Sequence, residues 1–253
     1  MNDEVIAGRH PVEEALRSGR TIHKLYFAEG AQGIGGILAE ARQSGVVVQQ
    51  ADKRKLDQMA PGVRHQGVIA LAAERAYAEL DDLFAAAEAS GQPPLFILLD
   101  EIEDPHNLGS ILRTADCAGA HGVIVPKRRS AGLTATVSKT SAGASEHVPV
   151  ARVTNLAQTI EELKERGVWI AGADASADRD VYDTDLKLPL GLVIGNEGKG
   201  IGRLIRERCD FLVKLPMYGR INSLNASVAA SLLMYEAVRQ RRGFGAGSAA
   251  GGK

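Results

Sequence analysis

FLVKLPMYGRINSLNASVAASLLMYEAVRQRR, Phe211 to Arg242, is the stretch whose reading decides the fold. Its apolar opening, Phe211 to Leu215, reads as a strand that Pro216 stops, because proline has no N–H to give to a sheet ladder. Gly219 and the polar run Asn222, Ser223 and Asn225 then make a loop running straight into a helix, with Ser or Asn at hand to cap its exposed N–H groups. Val228, Leu232, Tyr235 and Val238 recur at helical spacing and predict a buried stripe. The unit is a strand, a tight polar loop and a long helix.

Two other stretches have the same build: LDEIEDPHNLGSILRTADCAG, Leu99 to Gly119, and GLVIGNEGKGIG, Gly191 to Gly202. In each, an apolar strand feeds small and polar residues and then a helix. Three such loops can converge at one edge of a parallel sheet, where open α/β folds bind ligands. Between them lie Val123 to Val125 as a strand, Leu133 to Ser141 as a helix, His147 to Ala151 as a strand, Asn155 to Arg166 as a helix stopped by Gly167, and Val168 to Ala171 as a strand. The helix after Leu95 to Leu99 is expected to start at Ser110. This alternation predicts a doubly wound parallel sheet.

A dinucleotide-binding domain would carry G-x-G-x-x-G directly after its first strand, where this chain has EIEDPHNLGS. The late cluster Gly195, Gly198, Gly200 and Gly202 has the wrong spacing. Lys199 is followed by Gly200, where a P-loop needs Ser or Thr for its metal ion.

The N-terminal part reads as a smaller α/β module: Val5 to Ala7, His23 to Ala28, Val46 to Gln50 and Gly67 to Ala72 as strands, with helices at Pro11 to Ser18, Ile37 to Ser44 and Lys53 to Met59. Glu79 to Ser90 is helix-prone, and the Gly91-Gln92-Pro93-Pro94 run after it breaks any helix. The expected organisation is therefore a module over residues 1–75, a linker over 76–93, a second domain over 94–242 and a disordered Gly/Ser/Ala tail over 243–253. Lys plus Arg count 30 against 31 Asp plus Glu, a net charge of −1, so any nucleic-acid contact must come from local patches. Arg9, His10, Arg64, His65 and Gln66 sit at strand and loop boundaries, where cations can meet phosphates and amide or imidazole groups can meet bases or a 2′-hydroxyl. Local backbone contacts are the competing role for His10 and Gln66. Lys127, Arg128, Arg129 and Lys139 read either as a nucleic-acid track or as solvated surface. Cys117 and Cys209 show no metal or redox spacing and are expected as small buried hydrophobes in a reduced, cytoplasmic protein. No basic stretch with an apolar core opens the chain, and no run approaches the ~20 apolar residues of a membrane span.

The segments NLGSILRTADCAGA, IGNEGKGI and LPMYGRINSLNASVAASLLMYE resemble, in order, the three motifs of the SpoU (TrmH-like) branch of the SPOUT RNA methyltransferases. GRHPVEEAL and RHQGVIALA further resemble the substrate-binding domain of the subgroup that methylates a ribosomal RNA guanosine ribose. The resemblance implies a ribosomal-protein-L30e-type N-terminal domain, and a trefoil knot at the C-terminal end that no sequence pattern predicts. It implies an S-adenosylmethionine pocket formed around Ile194, Gly195, Leu215, Met217 and Leu224, and methyl transfer to a ribose 2′-hydroxyl of large-subunit ribosomal RNA. By the same analogy Asn107, Arg113, Glu197, Ser223 and Asn225 are the catalytic set. A guanidinium is a fixed cation with a fork that fits phosphate, so phosphate binding by Arg113 is favoured over proton abstraction. Ser223 and Asn225 can orient the ribose, cap the following helix, or do both. The family forms dimers, and Leu232, Leu233, Met234 and Tyr235 exceed what one buried stripe needs, so a homodimer is expected. A tRNA guanosine methylase is the alternative, disfavoured because those enzymes generally lack the N-terminal domain. A non-catalytic assembly factor is the other, and the intact catalytic set argues against it.

Overall fold

The computed structural model describes residues 3–73 and 75–243. In chain order the elements are β1 (Asp3–Ala7), α1 (Arg9–Arg17), β2 (Ile22–Ala28), α2 (Gly35–Gln43), β3 (Val47–Ala51), α3 (Lys53–Met59) and β4 (Val68–Ala73). They continue with α4 (Leu80–Ser90), β5 (Leu95–Leu99), α5 (Pro105–Ala118), β6 (Gly122–Pro126), α6 (Ala135–Thr140), β7 (Val150–Val153) and α7 (Leu156–Glu165). The last are β8 (Trp169–Ala173), β9 (Leu190–Ile194), α8 (Arg203–Arg208), β10 (Phe211–Val213) and α9 (Ala226–Arg241).

The chain forms two compact units. Unit 1 comprises residues 1–76, 104–113 and 131–147, and unit 2 the rest of the chain. In unit 1 a four-stranded sheet runs in the order β1-β4-β2-β3; β4 is antiparallel to both neighbours and β2 pairs with β3 in parallel. Ile6, Val12, Leu25, Ile37 and Val68 form its core, as the alternation of apolar positions predicts. Behind that core, Arg20 joins Glu4 and Glu146 in a nearly buried ion cluster, with Arg75 against Glu146 at 3.6 Å. The segment 131–147 thus belongs to unit 1 through a specific charge contact as well as through packing.

In unit 2 a six-stranded sheet runs β10-β8-β9-β5-β6-β7, with every pair parallel. From central β5 the chain winds to β6 and β7 on one side and later fills β9, β8 and β10 on the other, so the order reverses between β5 and β9. Every residue of β5 and of β9 is buried, as expected of parallel strands covered on both faces. The helix-prone stretch within the expected linker is α4, and it packs into this unit: its Leu83 is fully buried in the core, tightly over Gly122. The tail expected to be disordered lies, apart from Gly243, outside the described residues.

Three further expectations are corrected. Helix α5 starts at Pro105 rather than Ser110: proline suits a first helical position, and the Asp104 carboxylate accepts the His106 N–H at 2.8 Å. Gly109 is tolerated within α5 because a Cβ there would stand 2.6 Å from Cβ of Thr140 on α6. On α9 the buried stripe is Ala226, Ala230, Leu233 and Ala237, while Val228, Leu232 and Tyr235 are 46%, 44% and 50% exposed. The two stripes are offset by two residues, about 200° around a helix, so they face opposite ways. Small alanines let α9 lie close on the sheet. Cys117 is exposed rather than buried; Cys209 is half-buried, and burial with the nearby Asp210 carboxylate pushes its thiol up to about 12.

Candidate active site

The carboxyl ends of β8, β9 and β10 surround a cavity of about 530 Å³ in unit 2. Residues 173–176 wall one side, the turn after β9 another, and residues 213–215 and Met217 with 222–224 and the first turns of α9 the rest. Its volume lies in the range of sites for small ligands and cofactors. Ile194, Val213, Leu215, Leu224 and Leu233 give it an apolar surface. All five sequence-selected pocket residues, Ile194, Gly195, Leu215, Met217 and Leu224, line this one cavity, and so do Glu197 and Ser223.

The turn after β9 has its shape for identifiable reasons. Asn196 and Gly200 exchange two backbone hydrogen bonds, of 3.1 and 2.7 Å, and the Asn196 side-chain oxygen accepts the Gly198 N–H at 2.9 Å. Closing the turn brings Gly195 against its far side, where a Cβ would stand 2.2 Å from the Gly200 carbonyl carbon. Only glycine fits there. The turn is tied to the end of β5 at two points: the Asn196 amide donates to the Glu101 carbonyl at 3.1 Å, and the Asp100 carboxylate accepts the Gly202 N–H at 2.7 Å. Burial raises the Asp100 pKa above the usual carboxylate range, with the Gly202 N–H pulling against it.

Glu197 reaches across the mouth of the turn to the start of α9. Its carboxylate accepts from the Asn225 amide and from the Ala226 N–H, the latter at 3.1 Å. The Asn225 oxygen in turn accepts from the N–H groups of Ser227 and Val228, at 3.0 and 3.3 Å, and so caps α9. Glu197 and Asn225 therefore set where the helix begins, while Ser223 stays exposed on the cavity wall.

Sequence reading passed over the opposite wall. Asp174 accepts the backbone N–H and hydroxyl of Ser176, at 2.8 and 2.7 Å, and pairs with Arg206 at 3.0 Å. Burial opposes ionisation of Asp174, yet Ser176 and Arg206 outweigh it and hold the carboxyl below its usual range. The signal was present in the small-residue run Gly172, Ala173, Asp174, Ala175, Ser176 after an apolar strand, which is the build already recognised in the three selected stretches.

Asn107 and Arg113 both lie on α5, in the segment that groups with unit 1; Asn107 is buried and Arg113 exposed. Of the residues selected for RNA, Arg9, His10 and Arg64 have accessible side chains in unit 1. His65 does not: it is 6% exposed, its Nδ1 accepts the Gly67 N–H at 3.0 Å, and its Nε2 meets Asp57 at 3.1 Å. The basic group Lys127, Arg128, Arg129 and Lys139 is divided: Lys127 and Arg128 are exposed in unit 2, Arg129 is paired with Glu101 at 2.6 Å, and Lys139 belongs to unit 1. His106, which had no evident partner in sequence, meets Thr140 at 3.4 Å.

An all-parallel, doubly wound sheet with an apolar cavity at its carboxyl edge, on a chain that also carries a separate mixed-sheet module, defines an α/β protein with a ligand site and room for a second binding surface. The chain belongs to the SpoU rRNA Methylase family, which it matches over residues 94–235. Residues 5–78 match the RNA 2′-O ribose methyltransferase substrate-binding family. YacO of Bacillus subtilis (strain 168), named for the TrmH family of tRNA/rRNA methyltransferases, is 56% identical over 96% of this chain and 98% of its own length. The SpoU methyltransferase AviRb from Streptomyces viridochromogenes, solved in complex with the cofactor AdoMet, superposes with a TM-score of 0.81 at 28% identity, covering 95% of this chain and 91% of that one. An AdoMet-bound rRNA methyltransferase from Sinorhizobium meliloti gives 0.78 at 26% identity, over 96% and 88% of the two chains.

Proposed function

We propose that this protein transfers the methyl group of S-adenosylmethionine to a ribose 2′-hydroxyl of large-subunit (23S) ribosomal RNA, at a guanosine. The observation that carries the reading is the cavity shared by Ile194, Gly195, Leu215 and Leu224 at the carboxyl edge of the parallel sheet. The cofactor fits the residues present. The missing Cβ of Gly195 lets the turn close at the cavity rim, the N–H and C=O groups beside Ile194, Leu215 and Leu224 can read adenine edges in an apolar slot, and the Asp174–Arg206 pair offers both charges to an amino-acid end.

S-adenosylmethionine, when bound, supplies an electrophilic sulfonium methyl. The chain's own residues must place and hold the acceptor, because a protonated hydroxyl is a poor nucleophile. The family resemblance assigns an RNA phosphate to Arg113, an exposed residue of α5 whose guanidinium fork suits that group. Ser223 offers a hydroxyl at the cavity wall, and Glu197 and Asn225 fix the backbone on which Ser223 and Leu224 sit. The same resemblance assigns an orienting role to Asn107, a buried amide in the first turn of α5.

The family match of residues 5–78 supports RNA as the substrate, and the near-complete coverage of the S. meliloti rRNA enzyme favours ribosomal RNA. Among the described residues no helix is long and apolar enough to cross a membrane. The exposed stripe Val228, Leu232 and Tyr235 supports a homodimer. Mass-spectrometric mapping of ribose methylation in cells lacking the protein tests the substrate. One large-subunit guanosine is expected to lose its 2′-O-methyl group; loss from a tRNA instead would establish the tRNA alternative, and no loss from either RNA would favour a non-catalytic assembly factor.

A further inference from the structure

Three cations from separate segments of unit 1 lie near enough for Arg64 and Arg9 to repel the Lys139 ammonium, and the Arg9 guanidinium itself donates to the Gln32 carbonyl at 3.5 Å. Arg9 opens α1, Arg64 lies in the turn between α3 and β4, and Lys139 comes from the end of α6. The Lys139 ammonium donates to the Arg64 carbonyl and lies over Gly8, where a Cβ would stand 2.7 Å from Nζ. Gly8 is in any case reserved for glycine by its φ of 107°. The Gln66 side chain accepts the Arg9 N–H at 3.2 Å, which fixes the first residue of α1 beside the Lys139 amine. Burial, and then repulsion from Arg64 and Arg9, lowers the Lys139 pKa.

Three other arginines of unit 1 are neutralised, Arg17 by Glu13 and Glu14, Arg20 by Glu4 and Glu146, and Arg75 by Glu146, whereas Arg42 and Arg54 stand singly on α2 and α3. Among the described residues no carboxylate forms an ion pair with Arg9, Arg64 or Lys139. Gathering like charges costs free energy that a polyanion returns on binding. We propose that Arg9, Arg64 and Lys139 form one site for neighbouring phosphates of an RNA backbone. This rests on the reading of the chain as an RNA-modifying enzyme and deepens it. The grip is on phosphate and so independent of sequence, and it sets the register of the RNA rather than selecting the guanosine.

The test is fluorescence anisotropy of the full chain with a labelled RNA hairpin of mixed sequence, over a series of salt concentrations. Arg64→Ala and Lys139→Ala are each expected to lower the slope of log affinity against log salt by about 1 and to weaken binding about five- to tenfold near ~0.1 M salt. Arg17→Ala, already paired to acids, is expected to leave both unchanged. Because the Lys139 ammonium bonds to the backbone carbonyl of residue 64, Arg64→Ala removes a cation without removing that bond. Wild-type slope and affinity in both variants, or no hairpin binding by the wild type, would overturn the site. Calorimetry with S-adenosylmethionine on the same samples separates this failure from failure of the methyltransferase reading, since all variants are expected to bind the cofactor as the wild type does.

Discussion

Asp100 holds the cofactor turn from outside the cavity. Its carboxylate fastens the Gly202 N–H at 2.7 Å while Asn196 ties the other end of the turn to the Glu101 carbonyl. A hydrogen bond to a charged group contributes about 1.5–3 kcal/mol, so Asp100→Ala is expected to raise the KM for S-adenosylmethionine roughly tenfold or more with a smaller change in kcat. Asp100→Asn keeps an acceptor and should restore most of it. An unchanged KM in Asp100→Ala would remove the clamp from the account. The raised pKa of Asp100 gives a sign as well: its contribution to stability is fully present below the unfolded carboxylate pKa and is lost as pH rises through the folded value. Melting curves of wild type against Asp100→Asn should therefore show the wild type losing relative stability with rising pH. At this scale the sequence was legible where a residue type has few uses, as with Gly195, Asn225 and Pro216. It was silent on Asp100, whose partner Gly202 comes from a distant segment, and it offered His65 to RNA without showing that Gly67 and Asp57 engage both ring nitrogens.

At the scale of elements, helix α9 shows what periodicity can and cannot decide. The apolar residues of α9 fit two stripes, and sequence alone favoured the bulky one, Val228, Leu232 and Tyr235. The sheet is covered instead by Ala226, Ala230, Leu233 and Ala237, because a close helix–sheet approach selects small side chains. The bulky stripe is then left facing outward, where it suits a second copy of the chain. Leu232→Glu is expected to shift the protein from dimer to monomer in light scattering, without loss of secondary structure; a wild-type mass would remove this face from the interface. Helix α5 teaches a related lesson. Gly109 read as loop, yet the Asp104-Pro105 start and the close packing of Gly109 on Thr140 make the segment helical. Strands β5 and β9, apolar throughout, were legible because both faces of a central parallel strand are buried.

For the whole molecule, the alternation of strands and helices gave a mixed module and a parallel sheet, but not the way the chain divides. Residues 104–113 and 131–147 group with the N-terminal residues through long-range contacts such as Arg20 with Glu146, which no local pattern announces. The trefoil knot implied by the family likewise has no period to read. The central claim is that turns far apart in the chain build one cavity for a methyl donor. Calorimetric titration of S-adenosylmethionine into the wild type, Gly195→Ala and Leu224→Glu tests it most directly. The account predicts saturable heat for the wild type and at least a tenfold loss of affinity in both variants while they still melt cooperatively. A wild type that gives no saturable heat, or folded variants that bind as tightly as the wild type, would contradict it.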